Sequence, residues 1–497
     1  MTEEINGQLS KVASLQVLSR TAVARYKDPK SNLRQIATEL GVGSVVLGSV
    51  RQEGSRVRIH VELVDPRNDR TVWSEQYDRE LKDIFAVQSD VALRIAAALQ
   101  ANLSPNEQER IEKRPTENME AYHLYLRSQE VKSTDRQKNL EAVRMLHQAV
   151  RLDPKFAVAQ ARMAYRTIFQ AYFDDPQYID SGMEMARKAL ELDASLADAH
   201  FALAFGYYQK GQATNSRLSL LKAIELNPSH DGAMMNLSAQ ETDLGHYNEA
   251  LHWARRGFRL APSGIAYYHV GYPLLYLGSD ATTERWLTEA EQHFPKEMRI
   301  QILFAMLDLL RGRERDALER ARKASAAEPS NEEVLLLLAD LALIMGGADM
   351  ESRVERFFRS SPDLSAGTEI LPESFRARYA YLLARRGETS RATHLMEEAA
   401  GVARKALSEG NEMPRVRIEI AAIHAVRQQK NLALGWLQAA YDAGWRDPRT
   451  LERDPMLEGL RGEPRFKDLM ERIRRDVAAM RERSSDLREL FNKLPTQ

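Results

Sequence analysis

Side chains able to do covalent chemistry are sparse in this sequence and poorly spaced for it. There is no cysteine, which excludes thiolate nucleophiles, disulfides and cysteine-held metal, and the 11 histidines are scattered without a His-Glu-x-x-His pair. The carboxylate pair nearest to a site, Asp174-Asp175 before Pro176, falls where two helices turn, and helix capping accounts for it. Gly-x-Ser-x-Gly is missing, and no serine follows a strand at an elbow-like turn. Gly41, Gly43 and Gly48 follow a helix and enter a strand, the reverse of the order a dinucleotide loop needs. They read as a helix stop and close strand packing. No phosphate-loop Gly-Lys-Ser/Thr is present either. The sequence therefore predicts no catalytic residue, no cofactor and no metal.

Residues suited to recognition are better organised. Phe201, Phe205 and Tyr208, then Met235, then Tyr268, Tyr272 and Tyr276, then Ile302 and Met306 fall on the inner face of successive helices. The three tyrosines are four residues apart, one above another on a helix face. Aromatic and methionine side chains offer large, adaptable contact area, so this stripe suits an extended peptide or the apolar face of a helix. The same spacing serves a helix core, and a tightly wound array buries its own inner wall; both readings stand. Pro273 lies inside this helix and removes the bond to the carbonyl of His269. Arginine clusters such as Arg255-Arg256, Arg311 with Arg313 and Arg315, and Arg385-Arg386 have glutamates nearby and fall at turns or outer faces. They read as solvated surface, with no specific nucleic-acid partner.

The elements that must position the stripe repeat along the chain. Pro154, Ala194, Pro228, Pro262, Pro295, Pro329 and Pro362 close successive segments, with three gaps of 34 residues and two of 33. Each segment reads as two amphipathic helices. From Asp231 to Pro262, Leu237 lies in the first helix, Gly245 at the turn, Ala250 in the second helix and Gly257 where helices cross closely. Units run 118–154, 156–194, 197–228, 231–262, 264–295, 298–329 and 331–362, followed by two looser ones, about 371–410 and 414–441. Leu364 to Pro372 reads as a longer connector, and Asn411-Glu412-Met413 as a junction.

Ahead of the repeats stands a small α/β unit. Thr2 to Ala13 reads as a helix, Leu15 to Leu18 as a short strand, and Ser31 as the cap of a helix stopped by Gly41. Ser44 to Gln52 and Arg56 to Val64 form a hairpin around Glu53-Gly54-Ser55, and Thr71 to Tyr77 adds a third strand. Val57, Ile59, Val61 and Leu63 alternate with Arg58, His60 and Glu62. Ile84, Val87, Val91, Ile95 and Leu99 form a helical stripe.

These residues carry a resemblance. Leu18-Ser-Arg20-Thr21 with Tyr26-Lys27, Gly48-Ser-Val50, Val57-Arg-Ile59 through Leu63-Val64-Asp65, and Thr71-Val-Trp73-Ser-Glu75 through Tyr77-Asp-Arg79 resemble the amino-terminal-like domain named after TolB. The match spans roughly residues 2 to 110. That domain commonly precedes tetratricopeptide repeats in bacterial proteins, downstream of class III adenylate or guanylate cyclase domains, winged-helix regulators and some protein kinases. The family usually opens with a hydrophobic strand and a Gly/Pro-rich loop, and neither stands before Thr2-Glu-Glu-Ile5. The resemblance thus implies a domain lacking its first strand, with an exposed sheet edge as an association hazard, and self-association through this unit is one expected contact. The cyclase, kinase and DNA-binding activities do not carry over, because their domains are absent from the sequence. The chaperone-binding carboxylate clamp is not matched either, since it needs lysine, arginine and asparagine where the central units hold aromatics.

The expected fold class is mainly α: a tetratricopeptide-repeat superhelix with a small amino-terminal α/β domain. The expected organisation is a TolB-like domain at 1–103, a linker at 104–117, repeats at 118–362, divergent repeats at 363–441, a capping segment at 442–481 and a frayed or helical tail at 482–497. A repeat array lets 497 residues fold without one oversized core. Lys plus Arg (70) nearly cancels Asp plus Glu (71), which argues against a chain-wide attraction to nucleic acid or membrane. The start Met1-Thr2-Glu3-Glu4-Ile5 lacks the pattern of a secretory signal, and no apolar run is long enough to span a bilayer, so the expected location is cytoplasmic. Two functions are expected. One is a noncatalytic scaffold of bacterial signalling or regulation, binding a protein or peptide in the concave groove. The other is the regulatory or dimerising portion of a class III adenylate cyclase-like protein. An enzyme acting alone is the remote third.

Overall fold

Alternating apolar residues on the central strand organise the first unit. The computed structural model describes residues 2–23, 26, 32–54, 56–80, 83–131, 136–171, 176–327, 332–345, 352, 355 and 375–484. Asp174-Asp175, Ser31, Pro329, Pro362, the connector Leu364 to Pro372 and the tail beyond 484 lie outside the described residues. Helices α1 (Thr2–Leu9), α2 (Arg20–Val23) and α3 (Leu33–Leu40) precede strands β1 (Val45–Glu53), β2 (Arg56–Asp65) and β3 (Arg70–Glu80). The strands form an antiparallel meander in the order β1-β2-β3. Val57, Ile59, Val61 and Leu63 on β2 are buried in one cluster with Ile84, Val87, Val91 and Ile95 of α4 (Ile84–Ala98). Each such side chain contributes roughly 1.5–3 kcal/mol on leaving water. Asn32 caps α3 by accepting from the Arg34 and Gln35 N–H groups, and Gly41, at φ 63°, ends it in the left-handed region.

Two readings of this unit are corrected. The first helix stops at Leu9, and residues 10–14 continue in turns. Leu15 to Leu18 belongs to no strand. Its Val17 N–H donates to Ser229 Oγ at 3.2 Å, and the following Ser19 N–H donates to the Leu260 carbonyl at 2.8 Å. Both partners belong to the repeats, a loop residue at Ser229 and the last residue of a repeat helix at Leu260, where a strand would need a parallel or antiparallel neighbour.

The stretch 104–117, expected as a linker, holds helix α5 (Pro105–Glu112). Ser104 and Glu107 form a reciprocal capping box, and a Glu107 oxygen also accepts from the Ala13 N–H at 2.7 Å. Ile111 is fully buried in the same cluster as the sheet, together with Ala121, Tyr122 and Leu146 of the first repeat and Phe156 of the second. The α/β unit and the repeat array therefore share one core.

Helix pairs follow: α6 (Met119–Glu130) and α7 (Arg136–Leu152), α8 (Ala157–Gln170) and α9 (Gln177–Leu192), α10 (Ala197–Gln209) and α11 (Ala213–Leu226). Then come α12 (Asp231–Asp243) and α13 (Tyr247–Leu260), α14 (Gly264–Tyr276) and α15 (Asp280–His293), α16 (Met298–Leu310) and α17 (Glu314–Ala327), and α18 (Glu332–Met345). Pro154, Ala194, Pro228, Pro262 and Pro295 each stand two residues beyond the end of a second helix. The turns inside four successive pairs are made by Gly211, Gly245, Gly278 and Gly312, with φ between 64° and 75°. The same turn between the last two repeat helices uses Gln428, at φ 60°. At Gly257 a side chain would lie 2.8 Å from Met235 Cε, which is why the helices can cross so closely there.

The remaining elements are α19 (Phe375–Arg385), α20 (Thr389–Ser408), α21 (Pro414–Val426), α22 (Lys430–Asp442), α23 (Pro448–Arg453), a 3-10 turn (Pro455–Leu460) and α24 (Pro464–Arg483). They lie against the turns of the central pairs. Glu412 N–H donates to the Gly211 carbonyl at 2.8 Å, and its carboxylate accepts from Thr214 N–H and Oγ1, both at 2.8 Å. Arg449 donates to the Leu275 carbonyl and to Asp280, Arg453 to Glu314 at 2.9 Å, and Arg481 to the Leu277 carbonyl at 2.7 Å. Leu457, Leu460, Phe466, Leu469 and Met470 are buried in the central cluster, the apolar cover that an end repeat needs.

Candidate functional site

From α8 to α18, the first helix of each pair packs against the first helix of the next, so these helices form one continuous wall of the array. Counting from the first residues of α10, α12, α14 and α16, the fifth positions are Phe201, Met235, Tyr268 and Ile302. The ninth positions are Phe205, Ala239, Tyr272 and Met306. A 3.6-residue period sets both rows on one face, and the repeat sets them side by side. Tyr268 and Tyr272 stack with ring centroids 5.6 Å apart, and Tyr276 meets Tyr272 edge-on at 5.1 Å.

Eight of the nine expected groove residues keep between 2% and 8% of their surface, and Tyr208 is half-buried. Met235, Tyr268, Tyr272, Tyr276, Ile302 and Met306 belong to one apolar cluster, whereas Phe201 and Phe205 belong to two neighbouring ones. The stripe is part of the repeat core: Phe201 packs on Tyr165 and His230 and Tyr276 on Tyr247 across helices, while Tyr268 and Tyr272 stack on each other within α14. One member was passed over in the sequence. Tyr165, the ninth residue of α8, stacks on Phe201 at 5.3 Å and lies 5.4 Å from Phe205. Carrying the same register one pair further back would have found it.

Charged groups surround this floor. Asp198 keeps 55% of its side-chain surface and pairs with His230 Nε2 at 3.6 Å. The surrounding walls disfavour its charge, but His230, Arg162 and Lys11 together hold its carboxyl below the usual range. Asp243 accepts from Tyr208 Oη at 2.6 Å and Tyr272 Oη at 3.3 Å. Burial pushes its carboxyl up, against the opposing charge of Arg415 from α21. His269 is half-buried, and burial with the nearby Arg299 charge lowers it to about 3, so it is neutral. Arg299 also lies over the Tyr268 ring at 5.7 Å. The carbonyl of His269, freed by Pro273, accepts instead from Ser238 Oγ of α12 at 3.5 Å.

The amino-terminal unit touches three successive junctions between repeats. Lys113 pairs with Asp193 at 2.8 Å, Arg110 donates to the Leu226 carbonyl at 3.0 Å, and residues 17 and 19 bond Ser229 and Leu260.

Glu241, His246 and Glu249 bring one ligand atom each within 4.8 Å of one another. Arg217 already occupies this cluster, donating to Glu241 at 2.8 Å and Glu249 at 2.5 Å, while His246 Nδ1 lies 2.7 Å from the other Glu241 oxygen. The fully buried Glu241 carboxylate thus has a fixed cation as its counter-charge. Asp308 occupies the same place in α16, held by Arg313 at 2.5 Å and Arg320 at 3.0 Å. The trio is a repeated structural ion pair. Among the described residues, no helix is long and apolar enough to cross a membrane.

Helix pairs of this length and register, with their turn glycines and closing prolines, define a tetratricopeptide-repeat superhelix joined to a small α/β unit. No model of a known protein family matches the chain. A curated relative from Rhizobium meliloti (strain 1021), "Putative adenylate cyclase 3", is 36% identical over 209 residues, covering 41% of this chain. The chain spans about a third (36%) of that relative's length. Among solved structures, a tetratricopeptide repeat protein from Parabacteroides merdae ATCC 43184 aligns at 14% identity and a TM-score of 0.39, covering 53% of this chain and 98% of the other. Pseudomonas aeruginosa pilF aligns at 17% and 0.33, covering 47% and 98%. YrrB, described as a TPR protein with an unusual peptide-binding site, aligns at 18% and 0.28, covering 38% and 95%.

Proposed function

We propose that this chain is a noncatalytic protein-interaction scaffold of a bacterial signalling or regulatory system, which holds a peptide or helix along its concave face. One observation carries the reading. The first helices of four successive pairs contribute aligned aromatic, methionine and isoleucine side chains (Phe201, Met235, Tyr268 and Ile302 in one row) beside partly exposed charge at Asp198 and Asp243. Such a floor supplies apolar contact, and its charged margin supplies direction and register for a bound segment. Tyr208, Phe205, Tyr272, Tyr276 and Met306 extend the floor. The bound partner would carry an apolar face with a basic group placed for Asp198.

The test is affinity capture with the full chain, comparing the wild type with the Tyr268→Ala/Tyr272→Ala double variant and with Asp198→Lys. Leu218→Ala, on an exposed outer position, serves as control. The reading expects captured proteins to be lost from the first two and kept by the control, with helicity unchanged in all. Equal capture by all four proteins would remove the groove from consideration.

A second reading is favoured by the 36% identity to the cyclase-named relative. In it, the α/β unit resembling the TolB-related domain and the repeats form the regulatory, noncatalytic portion of a class III adenylate cyclase-like system. Restored control of a cyclase catalytic domain on adding this chain in trans would support that reading, and an unaltered cyclase rate would count against it.

A further inference from the structure

β1 (Val45–Glu53) is an edge strand, paired to β2 along one side over nine residues. The other side of such a strand presents a row of main-chain donors and acceptors. Natural proteins usually blunt an edge of this length with charge, proline or a bulge. From Val45 to Val50 there is no charged residue and no proline, and the register with β2 is unbroken; the irregularity in this sheet lies between β2 and β3, at Leu63/Val64.

The faces of β1 are also unequal to those of its neighbour. Val46 lies opposite Leu63 and Val50 opposite Ile59, so both valines point to the side on which β2 is buried. Leu63 and Ile59 are fully buried, yet Val46 and Val50 remain 40% and 50% exposed. The helical cover over the sheet stops short of β1. The sheet therefore ends in an apolar, hydrogen-bonding margin with nothing closing it among the described residues.

We infer that β1 pairs with β1 of a second copy of this chain, antiparallel about a twofold axis at Gly48, joining two three-stranded sheets into one of six strands. The spacing of the valines selects both the occupant and the register. With the axis at Gly48, Val46 meets Val50 of the second copy and Val50 meets its Val46, so two β-branched cross-strand pairs form on the uncovered face. Leu47 meets Ser49, Val45 meets Arg51, and no like charges face each other. Moving the axis to Leu47 sets Val50 against Ser44, and moving it to Ser49 sets Val46 against Gln52; either shift loses both valine pairs. A strand whose apolar positions are symmetric about its own midpoint is built to match itself. This contact is separate from the concave face and stands whether or not that face binds a peptide.

The test uses the full chain. Sedimentation velocity over a broad concentration range should show a reversible monomer–dimer equilibrium, weakened at least tenfold by Val50→Lys. Val72→Lys, at an exposed position on the opposite edge strand β3, should leave the equilibrium unchanged. The chain has no cysteine, so Gly48→Cys places a single thiol at the proposed axis. There is room for it, since the nearest heavy atom to an added Cβ is the His60 carbonyl oxygen at 3.5 Å. Residues directly opposite in an antiparallel pair have Cα atoms roughly 4.5–5.5 Å apart, within disulfide reach. Oxidation with diamide should give a covalent dimer from Gly48→Cys and not from Val72→Cys. The proposal is overturned by a chain that stays monomeric throughout, by a dimer that Val50→Lys leaves intact, or by equal cross-linking at both positions. Protection of the β1 amides that appears only with a different polypeptide would also overturn it.

Discussion

Gly245 in a central turn of the array and Gly444 just beyond its last helix pair meet backbone to backbone with no room for a methyl group on either. A side chain at Gly245 would run into the Gly444 carbonyl oxygen and lie 2.7 Å from Arg446 Cγ, and one at Gly444 would run into the Leu244 carbonyl. Both glycines have positive φ, 74° and 114°. Gly245→Ala is therefore expected to cost about 2 kcal/mol or more, through both crowding and backbone strain. Its mark should be local as well as global. Hydrogen exchange is expected to quicken in α22 and α24 before it quickens in α14, and small-angle scattering should show a larger radius. A variant as compact and stable as the wild type would remove this contact as a fastening point.

The Glu241 cluster predicts a stability plateau with two edges. His246 is raised above its ordinary 6.5 chiefly by its hydrogen bond to Glu241, so its contribution is complete below about pH 6.5 and is lost as pH rises through its folded value. Glu241 is disfavoured by burial, but His246 and Arg217 outweigh that and hold it below 4.5. Its contribution is present above about pH 4.5 and is lost as pH falls through the lower folded value. The His246 side chain is 58% exposed, so water screening keeps its share under about 1 kcal/mol. In Glu241→Gln, the upper edge should vanish from urea midpoints measured against pH, and the His246 titration should return towards 6.5. A variant whose midpoint still fell as pH rises above about 6.5, as in the wild type, would contradict this assignment.

Ser238 and Pro273 should be coupled. Ser238→Ala removes the donor that reaches the His269 carbonyl and is expected to cost about 1 kcal/mol. With Pro273→Ala, the restored N–H at residue 273 can serve that carbonyl, and Ser238→Ala should then cost almost nothing. A double-mutant cycle by chemical denaturation reads the difference, and a coupling near zero would assign the hydroxyl elsewhere.

Gln428 occupies a position that five other described helix pairs give to glycine, at Gly211, Gly245, Gly278, Gly312 and Gly387. Holding a residue with a Cβ in the left-handed region costs roughly 1–2 kcal/mol, offset in part by the greater freedom of glycine in the unfolded chain. Gln428→Gly is thus expected to stabilise by about 0.5 kcal/mol, visible as a higher denaturation midpoint. A lower midpoint would mean that the glutamine side chain holds the turn.

The repeat register was legible because it is local. Pro228, Pro262 and Pro295 each end a helix they cannot continue, and Gly245 and Gly312 sit at turns that favour positive φ. Those constraints act within a few residues. The alternation from Val57 to Leu63 was legible for the same reason. Leu15 to Leu18 misled because an apolar run reads alike whether its partner is a strand or a loop more than 200 residues away; Val17 bonds Ser229. Asn411-Glu412-Met413 read as a mere junction, and nothing near it in the sequence shows that Glu412 reaches Thr214. In the inner wall, spacing identified the aromatic rows but not how far neighbouring rings cover one another. Asp243 and Arg415 were missed because their proximity depends on the carboxy-terminal pairs folding back.

That folding back has a consequence for the order in which the molecule is made. In an ordinary solenoid each unit touches only its neighbours, so the array settles unit by unit as it leaves the ribosome. Here the turns at Gly211, Gly245, Gly278 and Gly312 wait for residues between 411 and 484, which are synthesised long after the turns themselves. Until those residues emerge, the central helices stand with an unfinished flank, and a nascent chain halted before residue 411 would be a substrate for chaperones.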